Sequence, residues 1–198
     1  MINTLNFIGY NTYYKVLNAK DFGLPQSRPR IFLISIRKDI DKGFNFPNAI
    51  KLTTKASDYY DKDFVGEEYY VNEHQKEKYI NEFRIKKQYS SLNADIIICQ
   101  TTKQGRLSNP QNFVKDEHGY RIMTPMEHFA LQGFKKEQAK RCLENGLTKE
   151  ELGYVAGNSI AVPVLENIYQ EMYKQYWKRE LEDEYCFLIL NSFMYFSF

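Results

Sequence analysis

The sequence predicts an α/β fold that opens on the edge of a sheet, passes through an irregular middle and closes on helices. Two β-rich runs, Tyr13–Leu17 and Arg30–Arg37, flank a Gly-Leu-Pro-Gln loop, as an antiparallel, hairpin-like pair requires. From Thr124 onward the chain carries helix start and stop signals in quick succession. Between the two, over about residues 44–120, strand-like stretches such as Asp95–Cys99 alternate with polar loops.

The opening strand follows Met1 closely, and the Pro-containing loop supplies the reversal between the two runs. In the middle, charge arrives in blocks. Asp58, Asp61, Asp63, Glu67, Glu68 and Glu73 form an acidic one; Lys76, Lys78, Arg84, Lys86 and Lys87 form a basic one. A solvated face is the plain reading of the acidic block, while the basic block leaves a binding role equally open.

The helices have a local physical basis. Thr124-Pro125-Met126-Glu127 is a capping box with proline at the first helical position: the Thr hydroxyl accepts from the Glu127 amide and the carboxylate reaches back. Gly133 is the expected stop. A second box, Thr148-Lys149-Glu150-Glu151, opens a short helix expected to end near Gly157. The last helix starts close to Pro163 and places Val164, Leu165, Ile168 and Met172 at helical spacing.

Composition narrows the function classes. With 26% charged and 43% apolar residues, the 198-residue chain reads as an ordinary globular protein able to bury a core. A net charge of +2 gives no whole-protein field for nucleic acid, so any such partner has to be held by local patches. Three widely spaced cysteines, Cys99, Cys142 and Cys186, offer no zinc or disulfide framework and fit a reducing cytoplasm. His74, His118 and His128 lack metal-ligand spacing. The segment Cys186–Phe198, apolar at ten of thirteen positions, is far shorter than the ~20 residues a bilayer span needs. It reads as a tucked strand or an aggregation hazard, and is expected to add nothing to function.

Three segments carry the chemistry. Gln26-Ser27-Arg28-Pro29-Arg30 sets two arginines at i and i+2 entering a strand, where their guanidinium forks face one side and suit a phosphate or a base carbonyl. Arg121-Ile-Met-Thr-Pro-Met-Glu-His-Phe-Ala-Leu-Gln-Gly-Phe134 combines the first capping box with a Leu-Gln-Gly-Phe exit. Gly157-Asn158-Ser159-Ile160-Ala161-Val162-Pro163-Val164 places polar groups ahead of a helix start, a setting that suits an anionic ligand group. In this order, and counting the first from Asp21 to Ile34, the three resemble the last three blocks, motifs VIII, IX and X, of DNA (cytosine-5)-methyltransferases.

That resemblance implies the C-terminal end of an S-adenosylmethionine-dependent methyltransferase (Rossmann-like) sheet, with a small mixed target-recognition region and closing helices. Residues 1–43 would end the catalytic sheet and residues 44–120 would form the target-recognition region. Residues 121–179 would return to the catalytic domain, leaving 180–198 as an atypical tail. Arg30 matches the arginine beside the flipped cytosine, and Arg28 the one supporting the same site. Arg121, Glu127 and Gln132 match a scaffold, and Asn158 and Ser159 the wall of the S-adenosylmethionine pocket. Double-stranded DNA is the implied partner and restriction-modification the implied setting; no membrane is implied.

What the family carries in its earlier blocks is not matched. Asp95–Gln100 places Cys99-Gln100 after an apolar run, but Ile98 stands where the family has proline, and the segment follows the arginine block instead of preceding it. Glu166-Asn167-Ile168 echoes the block that protonates the base, yet sits within the last helix. Phe7-Ile8-Gly9-Tyr10 lacks the second glycine of a cofactor loop, and no Pro-Cys dipeptide occurs. Attack on cytosine C6 needs a thiolate, so the expectation is a C-terminal fragment or subunit, inactive without an N-terminal half. The alternative is a stand-alone, non-catalytic DNA-binding module or an inactive remnant. The recognised DNA sequence is not legible.

Overall fold

The computed structural model describes residues 1–81, 85, 90–103 and 111–177. Arg84, Lys86 and Lys87 of the basic block and the tail from 180 lie outside the described residues. The chain divides into two compact units: one of Met1–Lys15, Phe32–Asn48 and the described chain from Glu166, the other of Val16–Ile31 and Ala49–Leu165.

The first strand does not follow Met1 directly. A six-residue helix, α1 (Ile2–Phe7), intervenes with no buried residue, and Gly9 at φ 95° turns the chain into β1 (Tyr10–Asn18). The short β2 (Gln26–Ser27) precedes β3 (Pro29–Arg37). β1 and β3 pair. Lys38 N–H donates to Gly9 O and Ala19 N–H to Arg28 O, while the Thr12 and Ser35 hydroxyls meet at 3.0 Å. Rising positions on one strand thus meet falling positions on the other, which is the expected antiparallel pair.

In the first unit, Asp41 gathers the loop after β3. Its carboxylate accepts from Asn11, Tyr13, Tyr176 and the Gly43 amide at 2.6–3.0 Å. Burial pushes its pKa up, but these four donors outweigh burial and hold it at about 2.

The second unit is built on short strands and short helices. β4 (Ser90–Leu92) runs parallel to β6 (Gln111–Asp116), which forms an antiparallel hairpin with β7 (Gly119–Ile122). The hairpin tip is a side-chain turn: Asp116 Oδ1 accepts from the amides of His118 and Gly119. β5 (Ile97–Ile98) pairs in parallel with β2, Gln26 opposite Ile97. Between β3 and β4 the described residues include a short helix, α2 (Glu73–Tyr79). Ala56, Ile97, Val114, Met123 and Leu131 form one apolar cluster, flanked by Tyr59 and Tyr60.

Both expected capping boxes are present. Thr124 and Glu127 exchange hydrogen bonds at the start of α3 (Pro125–Ala130), and Thr148 and Glu151 do so at α5 (Lys149–Asn158). Gly133, at φ 92°, closes α3: its amide bonds Ala130 O and that of Phe134 bonds Phe129 O, a Schellman pattern that satisfies the orphan carbonyls. Between them stands a helix the sequence reading did not contain, α4 (Lys136–Glu144), which buries Ala139 alone. Phe129, Ala139, Leu152 and Ala156 make a second apolar cluster. The last helix, α6 (Val162–Tyr176), begins beside Pro163 as expected.

Candidate functional site

Around Arg121 the arrangement is a closed ion-pair network. This fully buried guanidinium donates to Glu127 through two nitrogens at 2.9 and 2.8 Å and to Asp116 through the third at 2.8 Å. Glu127 accepts in addition from the amides of Thr124 and Asp61, each at 2.7 Å. Burial lowers the pKa of Arg121, but the two carboxylates more than reverse that. The charge is neutralised and geometrically complete, and the network joins β7, the cap of α3 and the loop at Asp61. Gln132 fits the same role: its side-chain amide donates to Ala156 O at 2.9 Å.

The Leu131–Phe134 exit meets the Gly157–Val164 segment directly. Val162 N–H donates to Gln132 O at 2.9 Å. A Cβ added at Gly133 would lie 2.5 Å from the Pro163 ring. Glycine is needed at 133 twice, for its positive φ and for this approach.

The arginine pair is arranged differently. Gln26 leads it, donating to Leu131 O at 2.8 Å and accepting from the Gln100 amide at 3.1 Å. Arg28 is 4% exposed. One terminal nitrogen donates to Gln100 O at 2.7 Å and lies 3.4 Å from Cys99 Sγ; the other donates to Gly157 O and Ser159 O at 2.8 and 2.7 Å. Desolvation pulls its pKa below the usual arginine value. Arg30 is exposed, donating to Pro29 O at 2.8 Å and to Cys99 Sγ at 3.4 Å. Both guanidinium groups therefore reach one sulfur, although one is buried and the other meets solvent. Among the described residues neither has a carboxylate partner.

The end of α5 at Gly157–Ser159 is pressed against the segment just past β5 that carries Cys99. A Cβ at Gly157 would lie 2.2 Å from the Thr101 carbonyl, so only glycine permits the approach. Asn158 ends α5 with its side chain exposed, next to exposed Val155 and Ile160. Ser159 Oγ donates to Ala156 O at 2.8 Å. Its hydroxyl hydrogen is thus committed and its lone pairs remain, which suits an ammonium or a ribose hydroxyl better than the carboxylate suggested by the helix start. The exposed carboxamide beside apolar side chains fits a ligand with a polar and an apolar part.

His128 lies fully buried in α3 with neither ring nitrogen bonded, and desolvation drops its pKa to about 4. Among the described residues there is no cluster of metal-ligating side chains and no helix long and apolar enough to cross a membrane. Sequence reading gave Gln26 no part of its own and set Cys99 aside as structural. Both stand at the arginine pair, Gln26 bonded to backbone groups and Cys99 to two guanidinium groups distant in sequence, which leave no local signature.

The sequence model of the C-5 cytosine-specific DNA methylases matches residues 1–174. The chain belongs to this family. Among curated relatives, the type II methyltransferase M.Bsp6I of Bacillus sp. (strain RFL6) is 32% identical over 180 residues, covering 84% of this chain and 56% of the relative. M2.ScrFI of Lactococcus lactis subsp. cremoris is 29% identical, covering 86% and 47%. The chain thus spans about half the length of these relatives. Among solved structures, the S. pombe Dnmt2 methyltransferase aligns with a TM-score of 0.69 at 18% identity, over 87% of this chain and 58% of that one. The Entamoeba histolytica methyltransferase EhMeth aligns at 0.66 and 17%, over 87% and 56%. The fold is that of the α/β methyltransferases.

Proposed function

We propose that this chain supplies the C-terminal share of a DNA (cytosine-5)-methyltransferase of a restriction-modification system. The observation that carries the reading is the joining, within one compact unit, of exposed Arg30 to the Gly157–Ser159 turn by way of Arg28. In this reading residues 44–120 recognise double-stranded DNA. Arg30 donates to the extruded cytosine, and Asn158 and Ser159 hold the amino-acid and ribose groups of S-adenosylmethionine. When bound, that cofactor supplies the electrophilic methyl group. The attacking thiolate and the acid at the base come from the family's N-terminal blocks, which these residues do not carry: none of the six prolines precedes a cysteine. Cys99, held between two guanidinium groups, is part of the wall and not the nucleophile.

The purified chain alone is expected to form no 5-methylcytosine on any DNA. Co-expressed with a polypeptide carrying the missing N-terminal portion, it is expected to form a methylating complex. Product formation by the chain alone would overturn the division of labour. In the complex, Arg30→Ala is expected to slow methylation by roughly 10- to 100-fold, the loss of a charge-assisted hydrogen bond; an unchanged rate would remove Arg30 from the base site.

The competing reading, a non-catalytic DNA-binding module, requires a free basic face. Among the described residues, Lys55, Lys76, Lys136 and Lys149 are paired with Asp95, Glu73, Asp61 and Glu68, while Arg84, Lys86 and Lys87 of the basic block lie outside those residues. DNA affinity of the isolated chain, measured across a salt series, separates the two: tight, steeply salt-dependent binding favours the module.

A further inference from the structure

We infer that Arg28 is a positioning residue that sets the cofactor turn and the base-side wall in a single register. The inference rests on the methyltransferase reading above and deepens it. Arg28 sits behind Arg30, not beside it, and its two terminal nitrogens are spent on three main-chain carbonyls from two distant segments. Gln100 O belongs to the segment just past β5 that carries Cys99; Gly157 O and Ser159 O bracket the Asn158 position. One rigid, planar fork therefore fixes the spacing of both segments, and no other side-chain type offers that geometry.

The surrounding packing shows that the register has no slack. Gly157 already lies so close to Thr101 and Thr102 that a single added carbon would stand 2.2–2.4 Å from their backbone. Gln26 grips the same segment through the Gln100 amide while holding Leu131 O. The segment bearing Cys99 is thus bonded at the Gln100 amide and carbonyl, and packed closely against Gly157 at Thr101 and Thr102. Arg30, whose reach passes over Cys99 Sγ, inherits its placement from this segment. Shifting the Arg28 fork moves the Ser159 hydroxyl and the Cys99–Arg30 wall together.

Lysine at position 28 keeps the charge but cannot span three carbonyls in a plane, so Arg28→Lys is the informative substitution. In the isolated chain, hydrogen exchange at the Gln100 and Ser159 amides is expected to quicken by roughly tenfold or more, as for loss of one charge-assisted bond. Gly157→Ala is expected to do the same, and the double variant to add little, because both release one contact. In the complementing complex, Arg28→Lys is expected to raise KM for S-adenosylmethionine and to lower kcat. Arg30→Ala is expected to lower kcat with KM for the cofactor little changed. Should Arg28→Lys fail to fold, Arg28→Gln, which keeps one planar donor, carries the same readouts. Unchanged exchange at both amides, or additive effects in the double variant, would overturn the shared register. Wild-type KM for the cofactor in an active Arg28→Lys complex would reduce Arg28 to a merely structural part. An inactive wild-type complex with quickened exchange in the variants would remove the methyltransferase reading while leaving the lock in place.

Discussion

Arg121 and Arg28 are both buried in the second unit, and they are buried for different ends. Arg121 meets two carboxylates and loses its net charge; Arg28 meets carbonyl dipoles and a thiol and keeps it. A neutralised buried arginine ties chain segments together and shows the outside nothing. An arginine held only by dipoles leaves its field standing beside a second, exposed guanidinium. The desolvation cost of that arrangement is tolerable only with several well-aimed acceptors, and Arg28 has them. One region is a strut; the other is a positively polarised wall waiting for an electron-rich group.

The sharpest way to break this contrast is to remove Arg121. Arg121→Ala leaves Glu127 buried and uncompensated, and is expected to destabilise the chain by about 3–5 kcal/mol in urea denaturation. A loss below about 1 kcal/mol, the worth of an exposed pair, would show that the network is no strut.

A second test uses pH on the same helix. The folded pKa of His128, about 4, lies below its ordinary 6.5. The neutral ring is therefore favoured in the fold. Its contribution is fully present above pH 6.5 and is lost as pH falls toward 4, by about 3 kcal/mol at most. Replacing it by His128→Leu is expected to flatten stability over that window; an unaltered pH profile would mean His128 finds a proton acceptor.

The smallest expected effect sits at the other arginine. Arg30→Ala is expected to change unfolding stability by less than about 0.5 kcal/mol, because the side chain is exposed, while still slowing methylation in the complex. A stability loss as large as that of Arg121→Ala would make the wall a second strut.

What the sequence disclosed and what it hid divide along the same line. Thr124–Glu127 and Thr148–Glu151 were legible because each cap is made by residues three apart, and Gly133 because a left-handed stop needs a particular residue. The strand pair announced itself through β-branched and aromatic runs around a loop. Helix α4 was hidden because its N-cap is Lys135 and it buries only Ala139. Helix α1 was hidden because it buries nothing. The pairings of β2 with β5 and of β4 with β6 involve two and three residues, too few to leave a period. At the site, the arginine spacing was readable, but the burial of Arg28 was not. Its acceptors lie 72, 129 and 131 residues away and are main-chain atoms, so no residue type betrays them.

Those main-chain acceptors have a consequence for exchange of specificity. Gln26 and Arg28 hold the proposed recognition region, residues 44–120, by a backbone amide and a carbonyl that every residue but proline possesses. The frame therefore dictates where the region docks without dictating its side chains. A graft that swaps reading surfaces between relatives should tolerate wide divergence in sequence, provided its joints leave the backbone path through Cys99–Thr102 unaltered. Moving a joint into that path would misplace the whole cassette, however well its own residues fit their DNA.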